Sequence, residues 1–252
     1  MSDWEHVGCH FCGASRVEVL FPVKHADAPH GSSNVLRCLN DGLIYISPRP
    51  CANEIGRYYP ISCNAYVGRK RGKLKQLLWN ACRDLGLDVF DISVKASRGK
   101  HILDVGCGYG DLLLYYKSRG MICTGVDFSE TAVARGREYG LNVLHGSLQS
   151  QQFQDACFDK VVLCHSLEHV PDPKQVIVEV RRLLKPGGTL QVAVPNGGSD
   201  AFGPNWRHLS FPLHLYHFTE SSLLSCLSEA GFRKVTSAVR KRHDVLRVTA
   251  EA

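Results

Sequence analysis

Three groups of residues in this 252-residue chain have the types and spacing to do chemistry. The first is Ile102-Leu103-Asp104-Val105-Gly106-Cys107-Gly108-Tyr109-Gly110, in which glycines follow an apolar, strand-like run. A chain must turn tightly there, and it can let a ligand approach its backbone. Asp104 sits inside the strand, a costly place for a carboxylate unless a partner such as a cationic or amine-bearing ligand meets it. Asp127 ends the next run, Cys123-Thr124-Gly125-Val126-Asp127, about twenty residues beyond the glycines, where a carboxylate reaches the ribose hydroxyls of a bound nucleoside. The glycines alone suit more than one adenine-bearing ligand, or a plain strand-to-helix turn.

The second group is histidine-rich. His165-Ser166-Leu167-Glu168-His169 follows the apolar run Val161-Val162-Leu163-Cys164, at the end of a strand that opens onto a ligand crevice. An imidazole is neutral and proton-accepting near pH 7, so His169 is the first choice as a general base, with a local Glu168–His169 structural pair as the alternative. Further on, Trp206-Arg207-His208 and Pro212-Leu213-His214-Leu215-Tyr216-His217-Phe218 add aromatic rings and imidazoles. His214 or His217 would assist as a base or touch an acceptor, and Trp206 and Tyr216 would wall an apolar pocket. Packing ahead of a helix explains the same residues.

The third group is Cys9-x-x-Cys12-Gly13 followed by Cys38-Leu39-Asn40-Asp41-Gly42. Two cysteines three apart in a tight turn can share a tetrahedral zinc ion, and Asp41, standing where a second pair would have its last cysteine, can ligate through oxygen. Cys51, His10, His25 or His30 are substitutes, and a metal-free pair of thiols is the alternative.

The elements that must position these residues are legible from periodicity. Residues 1–65 read as a small loop-rich Cys module with strand-like pieces at Val17 to Phe21 and Leu43 to Ile46. Over 66–99, Leu74, Leu77, Leu78, Ala81, Cys82 and Leu85 recur at helical spacing and predict an amphipathic linker helix. From 100 to 252, strands alternate with helices: His101 to Val105 then Leu112 to Arg119; Ile122 to Val126 then Glu130 to Tyr139; Asn142 to His145; Lys160 to Cys164 then Lys174 to Leu184; Thr189 to Val194. That order implies βαβ units and a mostly parallel sheet covered on both faces. A helix from Thr219 to Ala230, N-capped by Thr219, and strands at Phe232 to Ser237 and Val245 to Ala250 close the domain.

The net charge of +6 is uneven: residues 1–65 carry −1, residues 66–100 carry +6 and residues 101–252 carry +1. The surplus surrounds Arg69-Lys70-Arg71-Gly72-Lys73-Leu74-Lys75, a run suited to RNA, an anionic lipid surface or an acidic substrate, or simply a solvated helix face. No apolar run approaches the ~20 residues of a membrane span, and Met1-Ser2-Asp3-Trp4-Glu5 has no secretory character, so a cytoplasmic location is expected. The eleven cysteines are accordingly read as buried thiols or metal ligands rather than disulfides.

Over about Lys100 to Arg233 the sequence resembles the class I S-adenosylmethionine-dependent methyltransferases, closest to the ubiquinone-biosynthesis O-methyltransferase type. The glycine loop matches the first motif, Gly125-Val126-Asp127-Phe128-Ser129 the acidic one, and Phe158 to Cys164 with Ser166 to Pro173 the fourth-strand region. Leu183-Leu184-Lys185-Pro186-Gly187-Gly188-Thr189-Leu190 matches the last motif. The resemblance implies a doubly wound, Rossmann-like α/β fold with a mostly parallel seven-stranded sheet behind the small N-terminal Cys-rich module. It implies S-adenosylmethionine as cofactor, with Gly106 and Gly108 against the methionine part, Asp127 on the ribose diol and Phe128 beside the adenine. Asp104, Cys107 and His165 complete the implied cofactor set. Where the family usually has an acidic residue near the adenine amine, this chain has His145-Gly146-Ser147-Leu148, leaving Ser147 and the Leu148 backbone to serve.

Some quinone O-methyltransferases hold a divalent ion with a Glu-x-x-Glu-His pattern, and here His165 replaces the first glutamate. Two imidazoles and Glu168 suit a softer ion than magnesium, or none, and the chemistry is read without a catalytic metal. The N-terminal module, with Tyr45 to Pro50 and the Tyr58-Tyr59 pair, is similar to that preceding the catalytic domain of deoxysugar methyltransferases. The implied activity is methylation of a small-molecule hydroxyl on a sugar, quinol or other secondary metabolite, with His169 as base and His165 and His217 assisting. C- or N-methylation of a small molecule and RNA methylation are the alternatives. RNA is disfavoured because the basic run has no interleaved aromatics and no Asn-Pro-Pro-Tyr-type site is present. The oligomeric state is not legible.

Overall fold

Short continuous apolar runs, buried on both faces, build the centre of the molecule. The structure, a computed structural model, describes residues 3–59, 98–240 and 244–252. The linker helix expected within 66–99 lies almost wholly outside the described residues.

In chain order the strands are β1 (Trp4–Glu5), β2 (Val17–Lys24), β3 (Ser32–Cys38), β4 (Ile44–Ser47), β5 (Arg49–Pro50), β6 (His101–Val105), β7 (Ile122–Asp127), β8 (Asn142–His145), β9 (Phe158–Cys164), β10 (Leu184–Pro195), β11 (Tyr216–His217), β12 (Arg233–Arg240) and β13 (Val245–Glu251). The described helices are α1 (Asp111–Ser118), α2 (Glu130–Glu138), α3 (Pro173–Leu183) and α4 (Glu220–Glu229). None is long and apolar enough to cross a membrane.

Seven strands form the main sheet in the order β12-β13-β10-β9-β6-β7-β8. β8, β7, β6, β9 and β10 run parallel, while β13 pairs antiparallel with both β10 and β12. On β6, Ile102 packs with Leu112, Tyr115 and Tyr116 of α1, while Leu103 and Val105 face the cluster that holds Val176, Ile177 and Val180 of α3. On β9, Val162 faces the first side and Val161 and Leu163 the second. The side-chain period of two thus puts one apolar layer on each face, as a sheet covered by helices on both sides requires. Helix starts follow the sequence: Ser129 accepts from Ala132 N–H, Asp172 from Gln175 N–H, and Thr219 forms a capping box with Ser222.

Because β6 leads outward to β7 and β8 while β9 and β10 extend the other way, the strand order reverses between β6 and β9. A crevice opens beyond their carboxyl ends, and ligands bind at such a switch point.

The amino-terminal module has an antiparallel sheet of its own, in the order β11-β4-β3-β2. Its fourth strand comes from the far end of the chain: Tyr216 pairs with Tyr45 and His217 with Ile44. The Cys-rich region is therefore more regular than its composition suggests, with β3 added to the strands expected near Val17 and Leu43. Apolar residues of both regions, among them Phe11, Leu43 and Tyr45 with Tyr216 and Phe218, share the core cluster of Leu163 and Val176.

Candidate functional site

The switch point holds a cavity of about 470 Å³. Its floor is the end of β6 at Val105 and Gly106. Its far wall is Val126, Asp127 and Phe128 after β7 with Gly146, Ser147 and Leu148 after β8, and its near wall is His165, Ser166 and His169 after β9. Ala52, Ile55 and Tyr59 of the amino-terminal module and Asp172, Gln175 and Val176 of α3 complete the lining.

Gly106 has φ +75°, and a Cβ there would collide with the Ser166 side chain, so the loop crosses the crevice only with glycine. Asp127 Oδ2 accepts from Gly108 N–H at 2.7 Å and Oδ1 from Ser129 N–H at 2.9 Å. Burial pushes its carboxyl above the usual range against the pull of those amides. Each oxygen keeps a lone pair, so the carboxylate can still accept from a ligand. Phe128 is 47% exposed and presents an aromatic face along the wall.

Asp104 is buried, 2% exposed, and lies behind the cavity floor, close enough to Cys107 and Cys123 to help raise both thiols. Cys107 packs against Gly125 on that same side, and burial pushes its thiol far above its ordinary range. Gly108 faces Asp127 rather than the cavity. Of the residues expected on a cofactor, Gly106, Asp127, Phe128, Ser147, Leu148 and His165 line one cavity, whereas Asp104, Cys107 and Gly108 support it from behind.

His165 adopts a left-handed backbone, φ +53°, with its N–H on Ala193 O at 2.8 Å, and its imidazole is 37% exposed at the mouth. A non-glycine residue in this region is sparsely populated and tends to mark a functional turn. The turn carries the chain into the short 3-10 segment Leu167–His169. His169 Nδ1 lies 3.0 Å from Leu213 O. A carbonyl only accepts, so Nδ1 carries the proton and Nε2 holds the lone pair of a base. His214 repeats the arrangement, its Nδ1 2.7 Å from His208 O, and its ring meets His169 edge to face with centroids 4.6 Å apart.

Glu168 is fully buried beneath these rings, 1% exposed. Burial pushes its carboxyl up, but His165, whose Nδ1 stands 3.6 Å away, and His169 and His214 hold it down at about 2. Burial also lowers His214, to about 4. One ligand atom each of Glu168, His169 and His214 lie within 4.8 Å of one another.

The other aromatic candidates are placed elsewhere. Tyr216 is 1% exposed, and its hydroxyl meets Arg49, His10 and the Pro171 carbonyl at 2.6, 2.9 and 2.8 Å. Trp206 is 5% exposed and donates to Asp244 at 2.7 Å. His217 is 1% exposed among Phe202, Trp206 and His214, with neither ring nitrogen hydrogen-bonded among the described residues. None of the three reaches the cavity lining: Tyr216 and His217 pair with β4 as β11, and the Trp206 ring packs on Phe202 and His217. Lining residues given no site role from the sequence include Ala52, Ile55 and Tyr59, which tertiary docking of the module brings there, and Asp172 and Gln175 at the start of α3.

In the module, the ligand atoms of Cys9, Cys12, Cys38 and Asp41 lie within 4.8 Å of one another. Cys9 Sγ is 3.0 Å from Asp41 Oδ2, and Cys12 Sγ is 3.5 Å from Cys38 Sγ. The two halves make matching turns: Gly13 N–H bonds to Cys9 O at 2.9 Å and Gly42 N–H to Cys38 O at 3.0 Å, with both glycines at positive φ. Three thiols and a carboxylate at such spacing fit a tetrahedral zinc ion. Burial and Asp41 raise the Cys9 thiol steeply and push the Cys12 thiol up as well, while hydrogen bonds from these thiols hold the Asp41 carboxyl down against its burial. His10 and His25 are engaged elsewhere, on Tyr216 and in a ring cluster with Trp4, Tyr58 and Phe211.

Comparison with known proteins bears on the same region. Residues 103–192 match the methyltransferase domain family model. A ubiquinone biosynthesis O-methyltransferase of Pseudomonas paraeruginosa is 38% identical over 111 residues, 41% of this chain and 48% of that protein. One of Pasteurella multocida is 28% identical over 167 residues, 53% of this chain and 69% of its own. A probable S-adenosylmethionine-dependent methyltransferase of Mycolicibacterium smegmatis is 34% identical over 138 residues, 53% and 52% of the two chains. The chain thus spans about half the length of the first of these relatives. Among solved structures, S-adenosylmethionine-dependent methyltransferases of Mesorhizobium loti (TM-score 0.53, 20% identity, 63% of this chain and 94% of that one) and Archaeoglobus fulgidus (0.55, 18%, 70% and 94%) share the fold.

Proposed function

Since the Rossmann-like unit of this chain is a class I S-adenosylmethionine-dependent methyltransferase domain, we propose that the protein methylates a hydroxyl of a small molecule, with His169 as the general base. Bound S-adenosylmethionine supplies an electrophilic methyl group on a sulfonium. The observation that carries the reading is that one cavity joins Gly106, Asp127 and Phe128 to His165 and His169.

Asp127 would accept the ribose hydroxyls, Phe128 and Leu148 would flank the adenine, and the glycine at 106 would let the donor approach the backbone. In-line displacement then requires the protein to align an acceptor and take its proton. His169 is built to take that proton, because Leu213 O fixes its tautomer and Nε2 is left to accept. His165 at the mouth would orient the acceptor, and His214, outside the lining, would brace the His169 ring from behind. A sugar, quinol or other secondary metabolite hydroxyl fits this arrangement, and the relatives named for ubiquinone biosynthesis favour a quinol. Zinc at Cys9, Cys12, Cys38 and Asp41 would be structural, since that cluster lines no part of the cavity.

The test is calorimetry with S-adenosylmethionine, followed by transfer of labelled methyl to a panel of catechols, sugars, amines and RNA. Binding with turnover of hydroxyl acceptors is expected, and His169→Ala should keep donor affinity while kcat falls by about 10²- to 10⁴-fold. Absence of donor binding by the intact protein would sink the reading. Turnover of RNA or amines alone would replace the hydroxyl acceptor.

A second reading of the histidines has its own support. A buried, ionised Glu168 beside two imidazoles that offer acceptor nitrogens is a donor set for a divalent ion. Metal analysis of the protein and of His214→Ala separates this from the metal-free base, since only a bound ion would be lost on substitution.

A further inference from the structure

Among the described residues, the amino-terminal module contributes the aromatic ring of Tyr59 to the cavity lining. Tyr59 ends the 3-10 segment Ile55–Tyr58, with its N–H bonded to Gly56 O at 3.2 Å, and its ring lines the cavity. It meets Phe128 edge to face with centroids 5.5 Å apart and the His169 ring with centroids 5.9 Å apart. Gly56, on the same turn, lies close enough to Phe128 that a Cβ would approach its ring to 3.2 Å. Tyr59 therefore bridges the aromatic wall beside Asp127 and the imidazole proposed to take the proton.

This juxtaposition limits what can lie beneath the ring. A donor whose nucleoside rests against Phe128 and Asp127, and whose reacting carbon must come up to an acceptor held at His169, has to cross the space that Tyr59 covers. The part of S-adenosylmethionine between nucleoside and methyl group is the sulfonium, a compact, poorly hydrated cation. Aromatic rings attract such cations through the quadrupole, and quaternary ammonium ligands are recognised in this way. The product, S-adenosylhomocysteine, has a neutral thioether at that atom, and for it a ring offers only apolar contact.

We propose that Tyr59 is a positioning residue for the methyl donor, its ring covering the sulfonium and favouring the charged substrate over the neutral product. The inference rests on the methyltransferase reading and adds a role for the module in the reaction chamber. It also accounts for how close the turn carrying Gly56 and Tyr59 lies to Phe128: the module must dock there for the ring to reach the cavity.

The test is the ratio of affinities for S-adenosylmethionine and S-adenosylhomocysteine, measured by calorimetry on the intact protein and on Tyr59→Phe and Tyr59→Leu. The phenylalanine variant keeps a ring and should keep the ratio. The leucine variant should weaken S-adenosylmethionine by about tenfold relative to S-adenosylhomocysteine. Retained product binding reports that the leucine variant is folded. Equal weakening of both ligands, or no change in either, would overturn the proposal while leaving the methyltransferase reading intact. If the unaltered protein binds neither ligand, both fall together.

Discussion

His217 is the residue whose surroundings argue hardest against its expected role. Its position after the fifth parallel strand suggested a base near the acceptor, yet it is 1% exposed on β11 with both ring nitrogens unpartnered, among the described residues, in a nest of aromatic rings. Burial lowers its pKa to about 3. An unfolded imidazole titrates near 6.5, so between about 6.5 and 3 the unfolded chain binds a proton that the native state refuses. The stability that this histidine contributes is whole above about pH 6.5 and drains as the pH falls, at up to about 1.4 kcal/mol per pH unit. His217→Phe should flatten the acid limb of a plot of Tm against pH, with little loss at pH 7.5, because an unsatisfied polar ring is replaced by an apolar one. An unchanged acid limb would show that other groups carry it. At the same scale, Asp127→Ala should weaken S-adenosylmethionine binding by about ten- to a hundredfold, the worth of hydrogen bonds to a charged group, as measured by calorimetry.

At the scale of elements, strands marked by their own apolar runs were legible and those recruited by distant partners were not. β6, β7 and β9 announce themselves as apolar runs between turn residues, and their bounds agree with expectation to within two residues. β3 mixes serines and an asparagine with Val35 and Leu36, and β11 is only two residues long, so neither carries a period. β11 exists because Tyr216 and His217 find the edge of β4, a pairing across more than 160 residues that no local signal records. The same holds for the cavity. Its loop residues on the parallel strands could be read from spacing, while Ile55 and Tyr59 arrive by docking. Arg49 on β5 fastens that docking: although 2% exposed, it donates to Glu5, to the Tyr216 hydroxyl and to the Pro171 carbonyl at 3.0, 2.6 and 2.9 Å. It ties the module to β11 and to the loop that follows His169. Arg49→Met would strand these acceptors and should cost about 2–4 kcal/mol in denaturant unfolding. Because Pro171 is two residues from His169, kcat should fall more than donor affinity. A loss of stability with unchanged kcat would make Arg49 a purely structural clasp.

Over the whole molecule, the amino-terminal module and the main sheet meet at the cavity, because the module supplies Ala52, Ile55 and Tyr59 to its lining and, through Arg49, braces the loop that follows His169. The module's integrity should therefore depend in part on the proposed zinc site, through whose ligand side chains the turns Cys9 to Gly13 and Cys38 to Gly42 meet, beside the core that Cys9, Phe11 and Cys38 share. Structural zinc contributes folding free energy directly, so its removal should be visible far from the ion. Elemental analysis of the purified protein is expected to find about one zinc per chain. Stripping it with a chelator should lower Tm by several degrees and weaken S-adenosylmethionine binding, since Ile55 and Tyr59 would lose their anchorage, and added zinc should restore both. Asp41→Cys completes a four-thiolate set and should hold the ion more tightly against the chelator, whereas Cys12→Ala should reproduce the stripped protein. If the chelator leaves Tm and donor affinity unchanged, and the metal content is zero, the cluster is a set of buried thiols and the module is held by Arg49, Tyr216 and the shared core alone.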